Sequence, residues 1–132
     1  MAIKRIDTGT ITATDTTATG TIGHIQGQIL KVEIIASASS DFWLFVDASD
    51  EDESVVDEDI VGVTGTKITV NTTLIVYPVV AQKVGSTAAV TDPDQYISPI
   101  VSGSLEYSVA SIAAADTFRI VVWYQPHSDN TG

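Results

Sequence analysis

The densest ionisable chemistry in the chain lies in one acidic stretch. Asp47, Asp50, Glu51, Asp52, Glu53, Asp57, Glu58 and Asp59 place eight of the 17 Asp and Glu between positions 47 and 59, with no Lys or Arg between Lys31 and Lys67. Carboxylates at this density suit a hard divalent cation, which takes oxygen ligands. A calcium loop also needs a Gly at its sixth position and a carboxylate at its twelfth. Counted from Asp47 the sixth position is Asp52, and counted from Asp50 the twelfth is Val61, so the stretch is not an EF-hand. Two readings stand. One is a solvated loop held extended by like charges. The other is an irregular site for a structural divalent cation on Asp47, Asp50, Asp52, Asp57 and Asp59; no other cofactor is expected.

The rest of the catalytic inventory is thin. His24 and His127 lie 103 positions apart, without metal-ligand spacing. There is no Gly-x-Ser-x-Gly elbow, and Ser102-Gly103-Ser104 begins a strand instead of ending one before a helix. Gly62 to Lys67 misses the phosphate-loop spacing and reads as a hairpin turn. A glycosidase needs one carboxylic acid buried beside an ionised partner, which an acidic run in a polar loop does not offer. With no Cys, thiol catalysis and Cys-ligated zinc are excluded. The expectation is a protein that is not an enzyme. Asn71-Thr72-Thr73 is a glycosylation sequon, relevant only in a glycosylating host.

Aromatic residues form the second candidate group. Trp43 and Phe45 alternate against the apolar row Phe42, Leu44 and Val46, and Trp123 alternates against Phe118, Ile120 and Val122. Apolar residues on both faces of a strand mean that both faces are covered. The covers are the core and, on the other side, more core, a neighbouring subunit or a sugar ring stacked on the indole. Trp43, Phe45 and Trp123 are therefore candidate interface residues.

The elements that must carry these groups read as strands. Thr8, Thr10, Thr12 and Thr14 alternate with small residues, which marks an edge strand or an arm. Between Gln28 and Ala38, Leu30, Val32 and Ile34 point one way and Lys31 and Glu33 the other. With Phe42 to Val46 and a turn over Ser37 to Asp41 this predicts an antiparallel hairpin. Shorter strands are expected over 59–63 and 67–70, around Thr64-Gly65, and over 73–80. Stronger ones are expected over 104–110 and 116–124. Only 111–116 offers a helical turn, too short to stand alone. About eight strands with regular turn signals predict an all-β antiparallel β-sandwich with an extended N-terminal arm. The expected organisation is 1–22 as arm or edge strand, 23–125 as the sandwich and 126–132 as a polar tail.

The whole chain bounds the reading. Its 132 residues fit one domain. Six Lys and Arg against 17 Asp and Glu give a net charge of −11, which disfavours nucleic acid and anionic membrane as partners. No apolar run reaches the roughly 18 residues of a spanning helix, and the first residues lack a signal peptide's apolar stretch. The expectation is a soluble chain not exported by cleavage. Asp outnumbers Glu 12 to 5 and only four residues are Lys, a surface that resembles those of proteins from salt-loving archaea and their viruses. An ordinary acidic protein from another source is the competing reading.

Laid in order, the strands also resemble a family. Ile25 to Ile35, Phe42 to Asp47, Val76-Tyr77-Pro78, Ile97 to Val109 with its Pro99-x-x-x-Gly103-x-Leu105 pattern, and Phe118 to Tyr124 are similar to small jelly-roll head proteins of tailed viruses. The resemblance spans about residues 23–124. It implies a jelly-roll-like capsid decoration, or cement, protein on the outer surface of the virion. Its partner would be the major capsid protein, and its oligomer a homo-oligomer with a trimer favoured. The N-terminal arm would clamp the shell. A carbohydrate- or receptor-binding sandwich on a virus tail or cell surface is the alternative.

Overall fold

The computed structural model describes residues 3–47, 58–62, 66–78, 80–81, 83–84, 88–89, 96–97 and 100–126. In chain order the strands are β1 (Lys4–Asp7), β2 (Ile11–Thr12), β3 (Ala18–Ala36), β4 (Ser40–Asp47), β5 (Glu58–Val61), β6 (Ile68–Val70) and β7 (Thr73–Val76). There follow β8 (Val80–Ala81), β9 (Lys83–Val84), β10 (Ala88–Ala89), β11 (Tyr96–Ile97), β12 (Ile100–Ala110) and β13 (Thr117–Pro126). The protein is all-β and antiparallel, the class its alternating pattern predicts. No helix of the described residues is long and apolar enough to cross a membrane. β8 pairs with β11 and β9 with β10; the other strands join in one nine-stranded sheet.

That sheet folds over into two layers because β3 belongs to both. Residues 18–28 of β3 pair with β12, whose other edge carries β4. Residues 27–36 pair with β13 on one edge, and residues 32–35 with β7 on the other. Layer I is thus the first half of β3 with β12, β4, β5 and β6; layer II is the second half with β13, β1, β2 and β7. The inner faces meet through rings on strands that share no ladder. Phe118 of β13 lies edge-on to Phe42 of β4 and to Tyr107 of β12, with centroids 5.7 and 5.4 Å apart. Ile25, Ile29, Val32, Ile34, Leu44, Leu105 and Ile120 complete the core.

Two β-bulges let one long strand serve both layers. Ile22 is skipped in the ladder with β12, and Leu30 in the ladder with β13. Each extra residue flips the side-chain parity. Ala18 and Gly20 therefore face in, then Gly23, Ile25, Gly27 and Ile29, then Val32, Ile34 and Ala36. Strict alternation places Leu30 in the core row; the bulge replaces it there with Ile29, which is fully buried while Leu30 is half-buried.

Further expectations change or narrow. The predicted hairpin between residues 28–38 and 42–46 is absent: β3 ends in layer II, and the chain crosses at Ser37 to begin β4 in layer I, where its partner is β12. β5 and β6 do not pair with each other either. Both lie antiparallel along the same edge of β4, β6 beside Ser40–Phe42 and β5 beside Leu44–Val46. The turn residues Thr64 and Gly65 lie outside the described residues. Of the two readings of residues 1–22, arm or edge strand, the described part fits the edge strand. β1 and β2 run along the outer edge of β13, and β3 continues unbroken through positions 22 and 23. Gly9 takes a positive φ of 68°, and Thr8 bridges the gap, its N–H donating to Ile120 O at 3.0 Å and its Oγ1 accepting from Ile120 N–H at 3.0 Å. In place of a helical turn, 111–116 is a loop with positive φ at Ser111 and Ala115.

Candidate functional site

Two outward faces carry the side chains singled out by sequence. On layer I, Phe42, Leu44 and Val46 bury inward, so Trp43 and Phe45 project from the outer face, as the alternation predicts. The two rings stack on each other, with centroids 4.0 Å apart and planes 21° from parallel. Cross-strand pairing surrounds them with polar groups. Ser108 lies beside Trp43, Glu106 and Asp59 flank Phe45, and Ser104 lies beside Asp47. The Trp43 indole Nε1–H donates to Asp59 Oδ1 at 2.7 Å. At the far end Thr69 Oγ1 donates to Asp41 Oδ1 at 2.6 Å. Hydrogen bonds from Thr69 and Ser111 hold the Asp41 carboxyl below its ordinary pKa, and Lys67 adds to this.

The candidate cation residues divide. Asp47 closes β4 and Asp59 sits in β5; Asp50, Asp52 and Asp57 lie outside the described residues. Among the described residues no three His, Asp or Glu side chains converge as metal ligands do.

One row across layer I has the residue types of a hydrolytic triad: His24 of β3, Ser104 of β12 and Asp47 of β4 are successive cross-strand neighbours. The order is wrong for that chemistry. A triad needs the imidazole between hydroxyl and carboxylate, whereas here the serine lies between the other two, and His24 is exposed. His127 lies outside the described residues. A cleft of about 260 Å³ opens elsewhere, beside Thr10, Ile35, Ser37 and Arg119, and no carboxylate or histidine among the described residues lines it.

On layer II, Trp123 is the outward aromatic. Its cross-strand neighbours are Arg5 on β1 and Lys31 on β3, and the Lys31 ammonium sits 4.6 Å above its ring centroid. Next to this row Asp7 gathers two arginines. Arg5 Nη2 donates to Asp7 Oδ2 at 2.8 Å, and Arg119 donates through Nε to Oδ1 at 2.9 Å and through Nη2 to Oδ2. The Gly9 N–H adds a bond to Asp7 Oδ1 at 2.8 Å. The Arg119 hydrogen bond, then that of Gly9, hold the Asp7 carboxyl far below the ordinary carboxylate range. Sequence reasoning missed this cluster. Arg5 and Asp7 share a parity, but Arg119 reaches them across 112 positions, which no local pattern reports. Trp43 and Phe45 share one patch, whereas Trp123 is on the opposite side of the molecule.

Asn71, the sequon residue, is exposed in the bend between β6 and β7. No protein-family model, no curated protein and no solved structure matches the chain.

Proposed function

We propose that this chain is a virion structural protein that binds the outside of an assembled tailed-virus capsid and stabilises it by bridging neighbouring subunits. The observation that carries the reading is the stacked Trp43–Phe45 pair, held on the outer face of a rigid sheet by the Trp43–Asp59 hydrogen bond. A half-buried aromatic pair with a polar rim is what a protein partner covers. The two-layer antiparallel fold is compatible with the jelly-roll head proteins that the sequence resembles. Contact is made by sheet faces and not by a free N-terminal arm, since β1 and β2 are laddered to β13. A protein that binds only the assembled shell stabilises it by mass action, and repeated sites on the shell multiply a modest affinity. The partners are the major capsid protein and further copies of this chain, and the location is the outer surface of the virion.

A second reading, a carbohydrate- or receptor-binding module, draws on Ser104, Glu106 and Ser108 beside the aromatic pair. It is weaker because Trp43 and Phe45 spend a ring face on each other, the surface on which a sugar would stack.

Cosedimentation with empty capsids, read beside light scattering of the free protein, separates the two. Retention on shells, reduced by Trp43→Ala, supports the first. A protein that ignores capsids and shifts with oligosaccharides overturns it.

A further inference from the structure

The outer faces of the two layers are unlike in a way that makes them fit each other. Outside layer II, the row Arg5–Trp123–Lys31 and its neighbour Arg119 hold three of the chain's six Lys and Arg, against the carboxylates of Asp7 and Glu33. Asp7 is shared between two arginines, so this face keeps a surplus of positive charge within a chain of net charge −11. Apolar area lies alongside: Ile35 is 37% exposed and Ile75 48%. Outside layer I, the Trp43–Phe45 stack is bordered by Asp47, Asp59 and Glu106, with Asp41 and Lys67 at the far end. Among the described residues four carboxylates stand there against one lysine.

We propose that a second copy of this chain docks its Arg5–Trp123–Lys31 face on the Trp43–Phe45–Asp59 face of the first, head to tail. The charges decide the orientation. Two layer I faces brought together would oppose acid to acid, which disfavours that pairing, whereas unlike faces pair cation with carboxylate around a shared aromatic centre. Unlike surfaces in contact make a heterologous interface, which leaves one open face at each end of the pair. Because the two patches are on opposite sides of the sandwich, further copies can add at both ends. This concerns the free protein and does not depend on shell binding.

Sedimentation velocity on the purified chain, from dilute solution toward the millimolar range in low salt, should show mass rising with concentration. Lys31→Glu disables the layer II face and Trp43→Ala the layer I face, so each variant alone should stay monomeric. Their equimolar mixture should form a dimer and nothing larger, each variant supplying the face the other lacks. Circular dichroism and thermal unfolding check that both variants fold. Glu106→Gln, a milder change, should weaken association of the otherwise intact chain severalfold. A wild-type chain that stays monomeric throughout overturns the proposal. So does either variant that alone assembles as the wild type does, or a mixture of folded variants that stays monomeric.

Discussion

Trp43 and Asp59, 16 positions apart, are joined by a hydrogen bond of 2.7 Å from the indole Nε1 to Oδ1 that pins the outer edge of layer I. The bond ties two features that sequence presents separately, an outward aromatic and the last acid of the 47–59 run. β5 is a short edge strand with an irregular ladder to β4, in which Ile60 is skipped between Val61 and Asp59. A side-chain tie at that irregularity keeps Asp59 in register beside Phe45.

Trp43→Phe keeps an aromatic ring against Phe45 and removes the N–H donor together with part of the indole's area. A hydrogen bond to a charged acceptor contributes about 1.5–3 kcal/mol when shielded and less at a half-open surface, so a loss of about 1 kcal/mol is expected in urea unfolding. Asp59→Asn should cost less, because an amide oxygen still accepts. If Trp43→Phe and Asp59→Ala lower stability additively in a double-mutant cycle, the bond contributes nothing.

The bulge at Leu30 gives a sharper contrast between neighbours. Ile29 is fully buried and Leu30 half-buried, one residue apart in one strand. Truncating a buried Ile costs about 2–5 kcal/mol. Ile29→Ala should therefore cost several times more than Leu30→Ala, by chemical denaturation. Equal losses would return Leu30 to the core row.

This pair also marks where the sequence stops being legible. Phe42, Leu44 and Val46 face in and Trp43 and Phe45 out, and Leu105, Tyr107 and Val109 alternate as their pattern predicts, because unbroken pairing preserves a period of two. β3 departs from its pattern because a bulge is a relation between two strands: an extra residue shows only against a partner, and the partners β12 and β13 begin more than 60 residues later. The same holds for the β3–β4 link. A turn with flanking alternation looks alike whether the chain doubles back in one layer or crosses to the other. Among candidate site residues, Trp43 and Phe45 could be read as sharing a face from their i, i+2 spacing. The placement of Trp123 on the opposite side, with Lys31 above it, depends on the long-range ladder.

Gly27 lies where β3 passes from layer I to layer II, paired with Val101 on one edge and Pro126 on the other. A Cβ at this position would run into the Gln125 carbonyl oxygen and lie 2.8 Å from Pro126 Cα, both backbone atoms that cannot swing aside. Gly27→Ala should cost about 2–3 kcal/mol, in the range of overpacked cores. Gly9 separates steric crowding from backbone strain. Its φ of 68° disfavours a side chain, but a Cβ there meets nothing within 4 Å, so Gly9→Ala should cost about 1 kcal/mol. Thermal unfolding of both variants tests the order; Gly27→Ala no worse than Gly9→Ala would mean that the crossing relaxes.

Asp7 sets the response to acid. Arg119, Gly9 and Arg5 favour its ionised form in the folded chain and hold its carboxyl far below the ordinary value of 3.8. The folded state therefore binds this proton less readily than the unfolded chain. The stabilisation is fully present above the unfolded carboxyl's pKa and is lost as pH falls below about 4 toward the lowered folded value. Asp7→Asn cannot ionise. Its unfolding temperature should fall below that of the wild type at neutral pH, and the gap should narrow as both are titrated from pH 5 toward pH 2. Arg5, Arg119 and Asp7 are all partly open to solvent, so added salt should shrink the neutral-pH gap by screening. A gap that stays constant with both pH and salt would show that the charge of Asp7 contributes nothing, since an asparagine oxygen still accepts the Gly9 N–H, and that packing alone separates the two proteins.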